Sequence, residues 1–173
     1  MMTKKEFLNN VCNSREDLLQ QFLDVLVKMK IDYCVIGGLA VNAYVEPVVS
    51  MDLDIVVVAQ AIDKLKKELE HIFKIEEFPH SLNLSNPKTE LRFQLQTDPR
   101  YQPFISRSSI KEVMGYNMNV ARIDDVLQGK VWAYSDRERR KSKRQKDLAD
   151  IFRLIEAFPQ LKDMLPESIK NLI

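Results

Sequence analysis

Two aspartates one residue apart, Asp52 and Asp54, stand at the head of the apolar run MDLDIVVVA (51–59). Because side chains alternate between the two faces of a strand, both carboxylates are predicted to point to the same face. Like charges placed this way repel unless a cation lies between them. Oxygen ligands of this kind suit a hard ion such as Mg²⁺. The alternative is a sheet edge at which both acids are simply solvated.

A glycine pair, Gly37 and Gly38, accounts for two of the four glycines in the chain. It follows the short apolar strand YCVI (33–36) and precedes a predicted short helix, LAVNAYV (39–45). Without side chains at such a turn, the backbone N–H groups can approach a phosphate at the positive end of the helix. A tight turn with no ligand is the alternative, but the glycine pair and the aspartate pair together favour a phosphate site.

Two charged residues in the C-terminal third are candidates for the same site. Lys130 falls on the apolar face of the predicted helix IDDVLQGKVWAY (123–134), where a lysine without a partner is rarely buried. Its ammonium either reaches solvent past the apolar surface or enters a polar pocket beneath the helix. In RQKDLADIFRLIEAF, Asp147 lies at the edge of the inward stripe. It either reaches inward or is an exposed acid of the first turn that favours the helix N-terminus. Asp150 is predicted to point toward solvent and to pair with nearby basic residues.

The elements that position these residues follow from the spacing of apolar side chains. Helices are predicted over 4–30 (broken at 13–17, with Ser14 as the second N-cap), 39–45, 61–74, 124–136, 142–157 and 160–171. Strands are predicted over 33–36, 51–59, 91–97 and 116–122, with a loop or hairpin at 79–90. This order indicates an α+β fold, a small mixed sheet flanked by helices. We expect one domain (1–173), with an α/β core (1–122) and a helical C-terminal subregion (123–173).

The composition limits the class of protein. A formal net charge of +1 gives no reason to expect a nucleic-acid coat protein or a membrane-surface binder. The two cysteines, Cys12 and Cys34, do not make a disulfide framework and indicate a reducing compartment. No signal peptide is visible, and no apolar run approaches the roughly 18 residues of a membrane span. We expect a cytoplasmic protein without a membrane partner.

The succession of strand, glycine pair, helix, loop and D-x-D strand resembles the core of the nucleotidyltransferase superfamily that includes DNA polymerase β. The resemblance implies the nucleotidyltransferase fold. It also implies that Gly37 and Gly38 hold a nucleoside triphosphate and that Asp52 and Asp54 bind the divalent metal, Mg²⁺ or Mn²⁺. Ser50 takes the position of a threonine in small members and can donate a hydrogen bond to the nucleotide.

Two positions depart from the superfamily pattern. Val48 stands where small members carry an arginine. The superfamily also supplies a third carboxylate from a neighbouring strand, here ELRFQLQT (90–97), and the expected position falls near the neutral Gln94. Glu90 is predicted to point to the same face of the strand as Gln94, but it lies at the start of the strand. These departures favour single-metal nucleotide binding over two-metal chemistry, and they leave open a non-catalytic member of the fold.

Residues 124–155 resemble the tail of one branch of the superfamily. These are small bacterial nucleotidyltransferases related to the toxins of abortive-infection-type toxin–antitoxin pairs, which carry a lysine-bearing helix, an arginine-bearing stretch and a helix with a basic residue followed by Asp-x-x-Asp. The resemblance, over roughly 33–157, implies that Lys130 and Asp147 complete the active site. Lys130 would neutralise phosphate charge, and Asp147 would orient Lys130 or help to take the proton of the acceptor.

The predicted function is therefore Mg²⁺-dependent transfer of a nucleoside monophosphate from a nucleoside triphosphate to an acceptor hydroxyl. The resemblance implies an acceptor RNA or protein and an antitoxin partner. The basic segment DRERRKSKRQK (136–146) favours RNA, unless it is only a solvated helix face. The alternatives are an antibiotic-modifying nucleotidyltransferase with a small-molecule acceptor, and a nucleotide-binding or protein-binding member of the fold without turnover.

Overall fold

A seven-stranded mixed sheet forms the centre of the molecule in the computed structural model, which describes all 173 residues. Its spatial order is β3-β4-β5-β2-β1-β7-β6. β2 runs parallel to β5 and β1 runs parallel to β7, whereas the other neighbours are antiparallel. The strands are β1 (Tyr33–Ile36), β2 (Asp52–Val57), β3 (Lys74–Phe78), β4 (Ser81–Ser85), β5 (Arg92–Gln96), β6 (Ser109–Val113) and β7 (Tyr116–Val120).

Seven α-helices and three 3₁₀ segments accompany the sheet. The α-helices are α1 (Lys4–Val11), α2 (Leu18–Lys28), α3 (Gly37–Val41), α4 (Ile62–Leu69), α5 (Ile123–Ser135), α6 (Lys141–Ala157) and α7 (Glu167–Lys170). The 3₁₀ segments are Ala59–Ala61, Pro99–Arg107 and Pro159–Met164. The predicted α+β fold, a mixed sheet flanked by helices, is confirmed. No helix is long and apolar enough to cross a membrane.

The two faces of the sheet are covered by different helices. On one face, the ring centroid of Phe22 in α2 lies 6.3 Å from that of Phe73 and 5.3 Å from that of Phe93 in β5. The centroids of Phe73 and Phe93 are 4.9 Å apart. Leu53 of β2 is in register with Phe93 and shares that face. Asp54 and Gln94, one residue further along the same strands, therefore point to the opposite face. Helices α3, α5 and α6 pack together there.

The break in the first helical region lies where it was predicted, but its cap was wrong. Helix α2 is capped by Asp17, whose carboxylate accepts the N–H of Gln20 at 3.0 Å. Ser14, the predicted N-cap, instead has its hydroxyl 2.6 Å from the hydroxyl of Thr89. Both residue types favour N-caps, so position relative to the first helical turn decides between them.

Three other elements differ from the prediction. The helix predicted over 61–74 ends at Leu69, and Lys74–Phe78 is strand β3, paired with β4 in a hairpin. β3 and β6 are edge strands with mostly exposed side chains, so neither shows the alternating apolar pattern of a half-buried strand. The helix predicted over 160–171 is a 3₁₀ segment and α7, separated at Pro166, which cannot continue a helix.

The aromatic contacts between α2 and β5 should carry a large share of the stability. Phe93→Ala removes a side chain that is 1% exposed, and we expect it to lower the free energy of unfolding by about 3–5 kcal/mol. The matched control is Phe78→Ala, because Phe78 is 51% exposed on an edge strand; its effect should stay within about 0.5 kcal/mol. Urea denaturation measures both, and equal effects would contradict this packing.

Candidate functional site

The aspartate pair lies at the start of β2, in the middle of the sheet. Asp54 is in register with Ile36 of β1 and with Gln94 of β5, and Asp52 is in register with Arg92 of β5. Both carboxylates point to the face covered by α3, α5 and α6, as the strand alternation predicts. The expected position of a third carboxylate coincides with Gln94, and its side chain is neutral.

The carboxylate of Asp52 is paired with two cations. Arg92 donates from Nε to Oδ1 at 2.6 Å, and Lys143 of α6 donates from Nζ to Oδ2 at 2.9 Å. Burial raises the pKa of Asp52, but the bonds and charges of Lys143 and Arg92 outweigh it, so the pKa lies below its usual value. Asp52 is therefore held as a carboxylate by neighbouring side chains.

Asp54 has the opposite environment. Its carboxylate takes part in no ion pair or side-chain hydrogen bond, and burial raises its pKa; the charge of Lys130 opposes this rise and the charge of Asp52 adds to it. Gly37 makes room for this carboxylate, because a Cβ at Gly37 would collide with Oδ2 of Asp54. Gly37 also has φ +71°, a conformation that L side chains rarely adopt. The arrangement leaves an unpaired carboxylate that a bound cation would stabilise.

The loop that precedes β2 is fixed against α3. The side chain of Asn42 donates to the backbone oxygen of Val48 at 2.7 Å and accepts the Val48 N–H at 3.0 Å. Ser50 Oγ accepts the N–H of Asp52 at 3.3 Å, and a Cβ added to Gly38 would lie 3.5 Å from that Oγ. Gly38 and Ser50 therefore face each other across the entrance to the site. Helix α3 begins at Gly37, two residues earlier than predicted.

Lys130 enters a polar pocket beneath α5, and this pocket is formed by two aspartates of α6. Lys130 Nζ lies 3.0 Å from Asp147 Oδ1 and 2.7 Å from Asp150 Oδ2, and Lys130 is 8% exposed. Burial lowers the pKa of Lys130, but Asp150 and Asp147 outweigh it and the net shift is upward. Arg139 pairs with Asp147 at 2.7 Å, and Arg153 pairs with Asp150 at 2.7 Å.

The predicted orientation of Asp150 was wrong. Its side chain is 15% exposed and contacts Lys130, rather than pointing to solvent. The helical spacing gave one inward stripe for α6, but α6 packs against both α5 and α3. Two sides of the helix are therefore covered, and Asp150 belongs to the second. Its predicted pairing with basic side chains is confirmed by Lys130 and Arg153.

These residues surround a cleft of about 310 Å³. Gly38, Ser50, Asp52, Asp54, Lys130 and Asp147 line it, and Gly37 lines a smaller adjoining cavity that also contains Asp54 and Lys130. The structure thus brings every predicted site residue to one place. Further basic side chains in the wall of the cleft are Arg139, Lys143, Lys146 and Arg153.

Several of these wall residues were missed by the sequence analysis. Arg139, Lys143 and Lys146 belong to the basic segment 136–146, which the sequence connected with RNA binding but from which no single residue was assigned to the nucleotide site. Arg92 shares the polar face of its strand with Gln94, and that shared face was the available signal. Arg153 gave no signal, because a lone arginine on an amphipathic helix is ordinary.

The donor set fits one hard cation better than two. No group of three or more histidine, cysteine, aspartate or glutamate side chains could hold a metal ion. Asp52 and Asp54 supply carboxylate oxygens, the donors that Mg²⁺ prefers, and Mg²⁺ in proteins commonly takes one or two carboxylates together with phosphate oxygens and water. The unpaired carboxylate of Asp54, with room made for it by Gly37, fits such an ion.

Comparison with solved structures gives the fold class. A lincosamide antibiotic adenylyltransferase, LnuA, determined with lincomycin bound, aligns with a TM-score of 0.57 and 18% identity, over 82% of this chain and 99% of that one. ANT(2'')-Ia in complex with adenylyl-2''-tobramycin aligns with a TM-score of 0.60 and 11% identity, over 90% and 94%. An antigenic nucleotidyltransferase-like protein from Paracoccidioides brasiliensis aligns with a TM-score of 0.50 and 18% identity, over 86% and 75%.

The chain therefore has the nucleotidyltransferase fold. No protein-family model matches its sequence, and no curated protein matches it either. At these levels of identity the structural likeness shows the fold alone. The chemistry of this chain has to be argued from its own cleft.

Replacement by alanine should affect the stability of the protein differently at Gly37 and at Gly38. We expect Gly37→Ala to destabilise the fold by about 2 kcal/mol or more, since alanine is strained at positive φ and its Cβ would displace Asp54. Gly38→Ala is the matched control, because its nearest contact would be an ordinary 3.5 Å and its φ is not positive. Thermal denaturation measures both; a Gly38 variant as unstable as the Gly37 variant would contradict this assignment.

Replacing Asp54 and Asp52 by asparagine should change the melting temperature in opposite directions. The pKa of Asp54 is raised in the folded state, so the folded protein binds more protons than the unfolded chain. The free energy of unfolding therefore falls as the pH rises from about 4, the pKa of an unfolded aspartate, through the folded pKa. Asp54→Asn should therefore raise the melting temperature at neutral pH without ligand. The folded pKa of Asp52 is lowered, so its contribution is present above about pH 4 and is lost as the pH falls through the folded pKa.

Asp52→Asn should accordingly lower the melting temperature at neutral pH. Both differences from the unmodified protein should shrink in acid, where both carboxyls are protonated. Melting curves across the pH range measure the effect. A stabilising Asp52→Asn or a destabilising Asp54→Asn would show that the assigned electrostatics are incorrect.

Proposed function

We propose that the protein is a metal-dependent nucleotidyltransferase that moves a nucleoside monophosphate from a nucleoside triphosphate to an acceptor hydroxyl. The observation that carries the proposal is the unpaired carboxylate of Asp54 in a cleft whose other three carboxylates are all paired with basic side chains. Leaving a partly buried carboxylate without an ion pair or hydrogen bond costs free energy, and a bound cation with its phosphates would recover it. The nucleotidyltransferase fold supports the same conclusion.

The basic wall of the cleft is proposed to hold the triphosphate. Lys143, Lys146 and Arg153 line this wall. Their charges complement the several negative charges of a triphosphate. Gly38 presents backbone without a side chain, and Ser50 Oγ faces it and can donate a hydrogen bond to the nucleotide.

Mg²⁺, or Mn²⁺, would be held by Asp52 and Asp54, and its charge would neutralise phosphate oxygens as the reaction proceeds. Lys143 occupies Oδ2 of Asp52 at 2.9 Å. We propose that Lys143 leaves this oxygen when the nucleotide enters and turns to the phosphates. Arg92 stays on Oδ1 and fixes the orientation of the carboxylate.

In the proposed reaction, the acceptor oxygen forms a bond to the α-phosphorus while the bond from that phosphorus to the pyrophosphate oxygen breaks. The pyrophosphate leaves into the basic wall. The hydroxyl proton passes to water, since the neutral Gln94 beside Asp54 cannot accept it. Lys130 neutralises charge on the transferred phosphate. Positioning and charge neutralisation supply most of the rate enhancement in such a reaction.

Asp147 is proposed to position Lys130 rather than to take a proton. Its oxygens are engaged by Lys130 and by Arg139, and the residue is 2% exposed. Both carboxylate oxygens are thus already occupied and are not free to accept the proton of an acceptor. Asp147 is therefore suited to aiming two positive groups at the substrate.

The acceptor is proposed to be RNA, with protein as the other macromolecular acceptor implied by the resemblance of the sequence. A role as the toxin of a toxin–antitoxin pair, with an antitoxin partner, rests on that resemblance at residues 124–155. The cytoplasm is the proposed location, supported by two buried cysteines that are both free thiols.

A small-molecule acceptor is the second candidate function. The aligned structures include two antibiotic-modifying nucleotidyltransferases, one with lincomycin and one with an adenylylated tobramycin. For this chain, the basic residues around the cleft favour an anionic acceptor over an aminoglycoside, which is itself cationic. The two candidates differ only in the acceptor, so one assay compares them.

The test incubates the protein with each nucleoside triphosphate labelled at the α-phosphate, Mg²⁺, and either total RNA or representative lincosamides and aminoglycosides. We expect label transfer to RNA, and we expect Asp54→Asn to reduce it by about 100-fold or more. The matched control is Asp63→Asn, because Asp63 is exposed on α4 and does not line the cleft. Its activity should be unchanged.

Each outcome of this assay has a defined meaning. Transfer that survives Asp54→Asn would remove that residue from the proposed site. Transfer to an antibiotic alone would establish the second candidate. Triphosphate binding without transfer to RNA or to an antibiotic would contradict both of these acceptor assignments. If no triphosphate binds in the presence of Mg²⁺, the enzyme proposal fails.

A further inference from the structure

A second cavity adjoins the small cavity that contains Asp54. It measures about 430 Å³. Gln96, Tyr101, Ala133 and Arg139 line both this cavity and the small cavity that contains Asp54. None of Lys143, Lys146 and Arg153 reaches it. The open space around Asp54 therefore continues into two regions, the cleft with its lysines and the second cavity with its aromatic side chains.

Two members of a stack of three flat groups, Arg100 and Trp132, line the second cavity. The Arg100 guanidinium lies 4.7 Å from the centroid of Trp132, and the Trp132 ring lies 5.7 Å from Phe104 at an interplanar angle of 6°. Tyr101 packs edge-on against Trp132 at 5.1 Å. The side chain of Arg100 is 56% exposed, so its outer face is open to a further flat group. We call Arg100, Trp132 and Phe104 the stacking platform.

The stacking platform is held rigidly. Asp98 pairs with Arg100 at 2.8 Å and also accepts the Arg100 N–H at 2.9 Å, which fixes both the backbone and the side chain of that arginine. Gly129 of α5 lets the ring of Tyr101 approach the helix, because a Cβ there would lie only 3.2 Å from that ring. A glycine inside a helix costs about 1 kcal/mol relative to alanine, and here it permits the ring to support Trp132.

The geometry of the proposed reaction bears on where the acceptor hydroxyl enters the site. In transfer of a phosphoryl or nucleotidyl group, the attacking and leaving oxygens lie roughly in line. If the pyrophosphate leaves into the basic wall, the acceptor hydroxyl approaches from the side opposite to it. The second cavity reaches Asp54 through the small cavity, with which it shares Tyr101 and Arg139, and it contains none of the proposed triphosphate-binding side chains.

We propose that the second cavity is the acceptor subsite and that it binds the terminal nucleotide of a single-stranded RNA, with the base stacked on Arg100 of the platform. The inference rests on the proposed function. Unstacked bases commonly bind against aromatic rings and arginine planes. Arg100 and Arg139 place two cations in the lining of the cavity, beside Asp98 and Asp136.

Exposed cations near the cavity suit the phosphates of the same strand. Arg137 and Arg140, between α5 and α6, and Lys141, the first residue of α6, are exposed and take part in no side-chain ion pair. They follow Asp136, which lines the cavity. A strand whose last base lies on the platform would therefore extend along a basic segment rather than an acidic one.

The test uses the intrinsic fluorescence of Trp132, which is the single tryptophan of the chain. A short single-stranded RNA is titrated into the protein without any triphosphate, and we expect quenching as the terminal base stacks. The same RNA with an abasic terminal nucleotide should bind about 5- to 100-fold more weakly. A DNA strand of the same sequence shows whether the sugar contributes, and quenching by either strand supports base stacking.

Arg100→Lys is the decisive variant, because lysine keeps the charge but loses the plane. We expect it to weaken RNA binding about 5- to 20-fold while the fold and the binding of triphosphate with Mg²⁺, followed by thermal shift, stay unchanged. Arg15→Lys is the matched control: Arg15 is exposed and lines none of these cavities. The control should bind RNA like the unmodified protein.

The outcomes separate this inference from the proposed function. Triphosphate binding with no quenching by RNA overturns the acceptor subsite and leaves the proposed function standing. Quenching by RNA in a protein that binds no triphosphate supports the stacking platform and contradicts the proposed function. Quenching by the triphosphate alone, lost in Arg100→Lys, would place the base of the donor on the platform and overturn the inference. Transfer to a protein acceptor with no RNA binding overturns it as well.

Discussion

The ammonium of Lys130 lies between the carboxylates of Asp147 and Asp150, and the shape of the cleft depends on this contact. It joins α5 to α6 inside the protein, where few other polar groups are buried. Breaking a buried ion pair by removing one partner is strongly destabilising, because the remaining charges lose their compensation. Two further cations, Arg139 and Arg153, pair with the same two aspartates, so the network carries excess positive charge toward the cleft.

This excess explains why two neighbouring aspartates have such different environments. The cations on the helical side satisfy Asp147, Asp150 and, through Lys143, Asp52. None of them bonds to Asp54, although the charge of Lys130 is felt there. A fold that maximised stability would pair or remove this carboxylate. An unpaired carboxylate beside a glycine that makes room for it is the pattern expected of a site that is stabilised by a bound ligand.

The sequence predicted the local parts of this arrangement and missed those that depend on packing. The parity of Asp52 and Asp54 follows from the geometry of a single strand, and the identity of Gln94 as their neighbour follows from counting along another. Asp150 was misplaced because its burial depends on α6 meeting two helices, which no single-helix pattern contains. The edge strands β3 and β6 were missed because exposed strands lack apolar alternation. Arg153 and the stacking platform arise from residues far apart in the chain, and only the fold brings them together.

The distribution of the cleft residues along the chain has a consequence for its biosynthesis. The glycines and Asp54 belong to the first third of the sequence, whereas the cations that face them come from α5 and α6, near residues 130 to 153. Domains form their long-range contacts only after the participating segments have been made. A ribosome-bound chain therefore carries the two aspartates for most of its synthesis before it acquires the basic wall. Competence to bind a triphosphate should arise late and abruptly, when the last long helix docks.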